Sequence, residues 1–319
     1  MTQFPQLSAL RGGNSIVRVI GHRGAREIMP ENTMEGFEFT LSAGVDTLEF
    51  DVVMTADQVP VITHNHRLSA CATRTPDGMW IKGDEPKVSS LTLAQLQQFD
   101  VGGLDGRSVY GKRFPDQAFL SGVRIPRLTD LLELIVQPAH SSVTLLLELK
   151  SDPSLKDDAS ARAQFVTTIL NDVRTYELQH KTVLHSFDWD LLTECRRQAP
   201  EMPMSYISQK LRDAGDPHED SPVSVSPNLD DLTLSLPQAV AKAGGQVWCP
   251  HYLDVTADSV CEAHALGLIV DTWTVNERDD INRMIDAGVD GIITDHPGRV
   301  QRCLSGRGLQ WVVSEKARS

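Results

Sequence analysis

The sequence predicts an α/β fold, a closed (β/α)₈ TIM barrel with a small insertion after its second barrel strand. Short β-branched runs alternate with helix-period segments for most of the 319 residues, and this alternation is typical of a parallel sheet built from βα units. Eight runs are predicted to be strands, and eight strands close this type of barrel, which needs about 250 residues. The predicted strands are 16–20, 47–53, 143–149, 182–185, 204–207, 246–249, 268–275 and 291–294.

Apolar stripes with a period of 3.6 residues predict helices between these strands. One stripe ends at Gly288, and glycine commonly follows the last helical turn. The alternative is an open doubly wound sheet, which usually has a glycine-rich fingerprint after its first strand. The segment GHRGA at 21–25 has only two glycines, which favours the barrel. The two stripes are Phe165, Val166, Ile169, Leu170 and Val173, and Ile281, Met284 and Ile285.

One barrel domain is expected over residues 16–305, with an insertion at 66–125. The insertion interrupts the alternation with the turn signals PDG, GG and LDG and has one short helical segment, LTLAQLQQFD. Long loops at the carboxyl end of a barrel strand lie over the active face. The insertion is therefore predicted to shape the substrate entrance, with a surface decoration or an oligomer contact as the alternative.

Composition limits the classes of partner and the location. Asp and Glu outnumber Lys and Arg by 43 to 30, giving a net charge of −13, so we expect no nucleic-acid partner, although a locally positive pocket can still bind a small anion. The five cysteines include no CxxC pair, and we expect reduced thiols. No apolar run reaches about 20 residues and no leader is evident, so we expect a cytoplasmic location without stable membrane insertion. The oligomeric state stays open.

His22 is the first candidate functional residue, because it lies just after the first predicted strand, at its carboxyl end. Catalytic residues of such barrels lie at the carboxyl ends of the strands. Gly21 and Gly24 flank the segment and let a ligand approach. An imidazole also titrates near neutral pH. We therefore predict a functional histidine here, with a structural one as the alternative.

Acidic residues in two strands predict a cation site. Glu49 and Asp51 are two residues apart in the second strand, so their side chains point to the same side. Two unpaired buried acids are costly, so they need either a cation or an ion pair from a neighbouring strand. In the third strand, Glu148 can complete a three-carboxylate site, and Lys150 projects with it toward an anionic substrate. Oxygen donors favour one Mg²⁺ or Ca²⁺ ion over Zn²⁺.

A second histidine follows the second strand. A turn at 56–58 lets residues 59–63 fold back as a hairpin arm that presents His64 at the same mouth. His64 and His66 also form an HxH pair, which keeps a zinc site as an alternative. His66 is otherwise predicted to be a surface residue.

These motifs together resemble the glycerophosphodiester phosphodiesterase family. GHRGA, PENT, EFDV, TAD, PVITH, LELK, TWTVN and DGIITDHP occur in the family's order between residues 17 and 297. Each motif is weak alone, but the combination is specific. The resemblance implies a TIM barrel with an insertion between its second and third strands.

The resemblance also implies roles for single residues. The family's metal ligands match Glu49, Asp51 and Glu148, and its catalytic histidines match His22 and His64. Arg23 and Lys150 match the phosphate-contacting cations, and Trp273 matches an aromatic at the pocket mouth, with a packing tryptophan as the alternative. One position departs from the family: an Asp usually follows the second histidine, and Asn65 stands there. A neutral amide replaces the carboxylate that would orient the imidazole or raise its pKa.

The expected activity is metal-dependent hydrolysis of glycerophosphodiesters to sn-glycerol 3-phosphate and an alcohol. His22 would take the proton from the nucleophile, and His64 would protonate the leaving alcohol. One alternative is a lysophospholipase D-like enzyme for acylated substrates, and another is a non-catalytic barrel that binds a phosphodiester. An acylated substrate needs an apolar channel. The insertion's candidate channel residues are Trp80, Phe99, Tyr110, Phe114 and Phe119.

Overall fold

The computed structural model describes residues 4–11, 16–152, 155, 158–210, 227–229 and 232–311. Eight parallel strands close into a barrel, because β1 pairs with both β2 and β9, while β3 is an added antiparallel strand. The predicted (β/α)₈ fold is therefore confirmed. The strands are β1 Arg18–His22, β2 Thr47–Met54, β3 Pro60–Ile62, β4 Thr144–Leu149, β5 Thr182–Ser186, β6 Met204–Ser208, β7 Val247–Pro250, β8 Ile269–Thr272 and β9 Gly291–Thr294.

Helices pack outside the barrel, and both predicted apolar stripes are buried. The stripe before Gly288 lies on α9, and Gly288 has a left-handed conformation with φ 85°. The helices are α1 Pro5–Leu10, α2 Met34–Ser42, α3 Leu93–Leu96, α4 Leu128–Ile135, α5 Ala159–Thr175, α6 Trp189–Gln198, α7 Leu236–Lys242, α8 Ala257–Ala265, α9 Arg278–Ala287 and α10 Pro297–Gly306.

Two strands differ from the prediction by two residues or more at one end or both. β1 begins and ends two residues later than predicted, which places His22 inside the strand at its carboxyl end. β8 is shorter than predicted and ends at Thr272. The β-branched residues Thr274 and Val275 extend the sequence pattern past the rim, where the ladder of neighbouring strands stops.

The two ends of the barrel interior differ in polarity. Outward residues of β2, Leu48, Phe50 and Val52, pack in the helix layer. Helix α1 contributes to the inner apolar cluster, and Gln6 Nε2 donates to the carbonyl of Thr182, the first residue of β5. The amino end of the barrel is thus covered by α1, while polar side chains occupy the carboxyl end. The inner cluster comprises Leu7, Leu10, Ile20, Leu146, Val183, Val247, Cys249, Ile269 and Ile293.

The chain between β3 and α4 builds a small core of its own. The predicted hairpin arm is confirmed, because Ile62 pairs with Val52 across the β2–β3 ladder. Thr92 and Gln95 form a capping box at the start of α3, inside the predicted helical segment. The core includes two residues of the hairpin, which ties this segment to the barrel. The members of this core are Val53, Val61, Leu68, Ile81, Val88, Leu96 and Ile125. The domain limits 16–305 and the insertion limits 66–125 stay predictions.

The five cysteines all lie in the described residues and are free thiols, as expected. In the same part of the chain, no helix is long and apolar enough to cross a lipid bilayer.

Candidate active site

Three carboxylates converge at the carboxyl ends of β2 and β4. Alternation along β2 turns Glu49 and Asp51 into the barrel, and Glu148 of β4 lies beside Asp51 in the strand register. One oxygen from each of the three groups lies within 4.8 Å of the others. All three residues are buried, with exposures of 3%, 0% and 7%. The structure therefore brings the three predicted metal ligands together.

The three acids repel one another in a buried site. Burial, reinforced by the charges of Asp51 and Glu148, raises the pKa of Glu49 well above its ordinary value. Burial raises the pKa of Glu148 to about 7, although Lys150 partly offsets this. Burial also acts on Asp51, but the charges of Lys150, His64 and Arg23 outweigh it and hold its pKa well below the usual range. Without a further positive charge, the three carboxyl groups are therefore not all ionised near neutral pH.

The donor set fits a hard divalent cation. Asn32 Nδ2 donates to Asp51 Oδ2 at 2.8 Å, which occupies one oxygen of that carboxylate. The other oxygen, Oδ1, is buried and accepts no hydrogen bond from the described residues, although Lys150 Nζ lies 3.3 Å away. An unsatisfied oxygen among carboxylates is what Mg²⁺ or Ca²⁺ would use. The ion-pair alternative is present in part, through Arg23 and Lys150.

The zinc alternative at His64 and His66 has no geometric support. His66 Nδ1 lies 3.8 Å from Asp152 Oδ2, whereas His64 Nδ1 contacts Asn65. The group that could hold an ion in the described chain contains carboxylates alone. The prediction of His66 as a surface residue is only partly right, since its side chain is 21% exposed.

His22 is fixed by a carboxylate from the other end of the chain. Its Nδ1 lies 2.6 Å from Asp295 Oδ1, and its Nε2 lies 3.9 Å from Glu49 Oε2. Arg26 donates to both oxygens of Asp295 at 2.9 Å, and Asn276 Nδ2 donates at 2.7 Å. Burial opposes ionisation of Asp295, but the charges of Arg26 and His22 hold its pKa well below the usual range. An ionised acceptor holds the proton on Nδ1 and leaves Nε2 directed toward the acids.

Asp295 was missed as a site residue by the sequence analysis, although it lies in the motif DGIITDHP. The available signal was its position directly after β9, at the carboxyl end of the last barrel strand. The reasoning applied to His22 applies equally there.

His64 has a neutral partner. Its Nδ1 lies 2.6 Å from Asn65 Oδ1, so the amide oxygen orients the ring in place of the usual carboxylate. Burial, with the charges of Arg23 and Lys150, lowers the pKa of His64 well below its ordinary value. The substitution therefore keeps the orientation of the ring and removes the negative charge that would favour its protonated form.

The two predicted phosphate-contacting cations border the acids. Arg23 has a left-handed backbone with φ 50°, and its main-chain N donates to Glu49 Oε2 at 3.1 Å. Its Nε lies 3.4 Å from Asp51 Oδ2. Lys150 Nζ lies 2.9 Å from Glu148 Oε1. Gly24 must stay small, because its φ is 88° and an added Cβ would lie 2.9 Å from the main chain of Gly36.

Trp273 follows β8 at the barrel mouth. Its Nε1 donates to the carbonyl of Cys249 at 3.1 Å. Its ring makes edge contacts with Phe187 and His251, at centroid distances of 5.3 and 5.0 Å. The half-buried indole therefore packs in an aromatic group at the rim, and both predicted interpretations of Trp273 are compatible with this position.

Another buried histidine in the barrel, His185, was not predicted as a site residue from the sequence. His185 pairs in register with Glu148, and its Nδ1 lies 2.8 Å from Ser205 Oγ. Burial lowers the pKa of His185 to about 3, so this imidazole is neutral. The alternation of β5 could have placed it inside the barrel, but no motif distinguished it.

The five insertion aromatics do not form a common wall. Phe99 packs against the small core of the insertion. Trp80 and Phe119 both contact the guanidinium of Arg74. Tyr110 and Phe114 form a separate edge-to-face pair with a centroid distance of 5.3 Å. Among the described residues, the predicted apolar channel for an acyl chain is therefore not formed by these side chains.

The closed barrel and the polar site at its carboxyl end are those of a (β/α)₈-barrel enzyme. A model of the glycerophosphoryl diester phosphodiesterase family matches residues 22–299. The chain therefore belongs to this family, as its motifs predicted.

Individual relatives agree with this assignment. The chain is 26% identical to the glycerophosphodiester phosphodiesterase of Caldanaerobacter subterraneus over 88% of this chain and 94% of that protein. A Silicibacter pomeroyi crystal structure, provisionally described as a glycerophosphoryl diester phosphodiesterase, is 59% identical, with a TM-score of 0.90 and coverage of 97% and 99% of the two chains. An Oleispira antarctica phosphodiesterase, solved with its product sn-glycerol-3-phosphate, has a TM-score of 0.67 at 22% identity over 91% and 97% of the chains, and supports the fold.

Proposed function

We propose that this protein hydrolyses glycerophosphodiesters to sn-glycerol 3-phosphate and an alcohol, using one Mg²⁺ or Ca²⁺ ion. The observation that carries the proposal is the convergence of three buried carboxylates with two imidazoles and two cationic side chains at one barrel mouth. The activity named for the Caldanaerobacter relative supports it. The substrate is a small molecule that enters from the carboxyl end of the strands.

The charged side chains prepare the site for a phosphodiester. A divalent ion held by Glu49, Asp51 and Glu148 would polarise the phosphoryl oxygens as a Lewis acid. Arg23 and Lys150 contact the same acids from the rim, so their charges can offset the negative charge that grows in the transition state. With a divalent ion bound to the three acids, these two cations would make the pocket locally attractive to an anion despite the net charge of −13.

His22 is suited to the role of general base. Its Nδ1 proton is held by Asp295, which leaves Nε2 free to take a proton from water or from a substrate hydroxyl. Burial lowers the pKa of His22 below its ordinary value, although Asp295 partly offsets this. The ring is therefore neutral before the reaction, and Asp295 stabilises the imidazolium that forms.

His64 is suited to protonating the leaving alcohol. The Asn65 oxygen fixes the ring through Nδ1, so Nε2 is the atom that can transfer a proton. The acid form must exist when the substrate is bound, and the negative charge of a phosphodiester favours it. His64 thus depends on its substrate for a charge that Asp295 supplies to His22.

A substrate panel tests the proposal. Full-length protein, stripped of metal and resupplied with Mg²⁺ or Ca²⁺, is assayed for glycerol phosphate release from glycerophosphocholine and glycerophosphoethanolamine, and for choline release from lysophosphatidylcholine. We expect hydrolysis of the deacylated diesters, and a fall in kcat of about 10² to 10⁴ in His22→Ala and in His64→Ala, the usual contribution of one acid or base. Absence of product with either ion, or full activity of both variants, would refute the proposal.

A further inference from the structure

A tyrosine from the insertion reaches the active site. The Tyr110 hydroxyl donates to Glu31 Oε2 at 2.5 Å and accepts a hydrogen bond from Arg26 Nη1 at 3.3 Å. Its ring packs edge-to-face against Phe114, over which the Arg26 guanidinium lies at 5.0 Å from the centroid. The hydroxyl is therefore held between a carboxylate and a guanidinium of the barrel.

One branch of this hydrogen-bond network leads to Glu49 and Asp51, two of the proposed metal ligands. Glu31 Oε1 accepts a hydrogen bond from Arg23 Nη1 at 3.0 Å. Arg23 in turn contacts Glu49 through its main-chain N and Asp51 through Nε. Because Glu31 uses one oxygen for Tyr110 and the other for Arg23, it joins the insertion to the cation that borders the acids.

The other branch leads to the proposed general base. Arg26 donates to both oxygens of Asp295 at 2.9 Å, and Asp295 holds His22 Nδ1 at 2.6 Å. Arg26 is buried, with 2% exposure, so its position depends on these neighbours. Tyr110 thus contacts the first member of each branch, and the branches end on Glu49 and His22, whose Oε2 and Nε2 atoms lie 3.9 Å apart.

The protonation states match this arrangement. Burial opposes ionisation of Glu31, but the charges of Arg23 and Arg26 outweigh it and keep its pKa below the ordinary value. Burial and the charge of Glu31 raise the pKa of Tyr110. A neutral phenol therefore donates to an ionised carboxylate, which is a strong, directional hydrogen bond.

We propose that Tyr110 and Glu31 form a positioning pair, through which the insertion fixes Arg23 and the Arg26–Asp295–His22 chain in the geometry that the reaction needs. This inference rests on the proposed function and gives the insertion a part in the chemistry. In this role both residues act through Arg23 and Arg26. Loss of the pair leaves the reacting groups present but less well oriented, which lowers kcat more than it raises KM.

A tyrosine elsewhere in the chain offers a matched control. The Tyr176 hydroxyl also donates to a glutamate, Glu133 of α4, at 2.8 Å, on the outer helices of the barrel. Tyr110→Phe and Tyr176→Phe therefore remove the same kind of hydrogen bond at the site and far from it. We expect a loss of kcat of about tenfold in Tyr110→Phe, with a smaller change in KM and an unchanged half-activating cation concentration, and wild-type values in Tyr176→Phe. Thermal unfolding of both variants checks the fold.

A double-mutant cycle then tests the pairing. If Tyr110 acts through Glu31, the double variant Tyr110→Phe/Glu31→Gln has the same kcat as the less active of the two single variants, because the shared hydrogen bond can be lost only once. Losses that multiply would overturn the pairing. Wild-type kcat in Tyr110→Phe, while the wild type hydrolyses glycerophosphodiesters, would overturn the inference and leave the proposed function standing.

A measurement that needs no turnover distinguishes failure of this inference from failure of the proposed function. The Nδ1 proton of His22, in its 2.6 Å contact with Asp295, is followed by proton NMR and assigned by its loss in His22→Ala. We expect this resonance to shift or to exchange faster in Tyr110→Phe and to stay unchanged in Tyr176→Phe. An identical resonance in all three proteins would overturn the inference even if no glycerophosphodiester is hydrolysed.

Discussion

On the two sides of the active site, His22 and His64 lie at the same distance from a side-chain oxygen, but the charge of the group that carries this oxygen differs. His22 Nδ1 and His64 Nδ1 each lie 2.6 Å from a side-chain oxygen. For His22 that oxygen belongs to Asp295, a carboxylate held by Arg26, whereas for His64 it belongs to the neutral amide of Asn65. Ring orientation and ring charge are therefore set separately in this protein. Asp295 favours the protonated form of His22 by its charge and its hydrogen bond, whereas Asn65 contributes a hydrogen bond to His64 without a charge.

Removal of the divalent cation acts on both sides at once and is expected to have the largest effect. Asp51→Asn, or chelation of the wild type, should lower kcat/KM by about 10³ or more, because the ion supplies several kcal/mol of charge stabilisation. The assay is glycerol phosphate release before and after Mg²⁺ or Ca²⁺ is restored. The exposed acid Asp77 provides the control variant Asp77→Asn. Full activity in the chelated wild type would contradict the prediction.

Asp295→Asn makes the His22 side resemble the His64 side and should have the next largest effect. The variant keeps an oxygen acceptor but loses the negative charge, and it leaves the buried Arg26 without its carboxylate. We expect kcat to fall by about 10² to 10⁴. Steady-state kinetics measure the loss, and circular dichroism melting shows whether the fold persists. A wild-type kcat would mean that charge at this position is irrelevant.

Asn65→Asp performs the opposite exchange and should have a smaller effect. A carboxylate beside Nδ1 raises the pKa of His64, which burial and the charges of Arg23 and Lys150 now hold well below its ordinary value. A general acid works only while protonated, so activity lost as pH rises should persist to higher pH in the variant. Each unit of displacement corresponds to about a tenfold higher rate on that limb. An alkaline limb identical in both proteins would show that His64 is not the acid.

The smallest expected effect is on the pH dependence of the stability of the metal-free protein. Burial raises the pKa of Glu148 from 4.5 to about 7 in the folded protein, so the folded state binds more protons than the unfolded state between these values. Stability of the chelated protein should therefore decrease as pH rises from about 4.5 to 7. Tm measured across this range checks the slope, which should flatten in Glu148→Gln or with added cation. A Tm that increases over the range would contradict the sign.

Much of the site could be predicted because its residues follow local rules. The period of two along β2 placed Glu49 and Asp51 on one face, and the position of His22 at a strand end placed it at the active face. The end of β8 could not be predicted, since β-branched residues continue past the point where the neighbouring strands stop pairing. The insertion aromatics were grouped by composition, yet Phe99 and Phe119 lie in different surroundings.

The sequence by itself determined the barrel, the inward face of each strand and the set of chemical groups at the mouth, because periodicity and strand order depend on neighbours in the chain. Only the tertiary structure decided which groups meet. Asp295 reaches His22 across 273 positions, and Tyr110 reaches Glu31 across 79. Such contacts depend on the register of β1 against β9 and on the path of the insertion. Both result from packing of the whole chain, which no local pattern encodes.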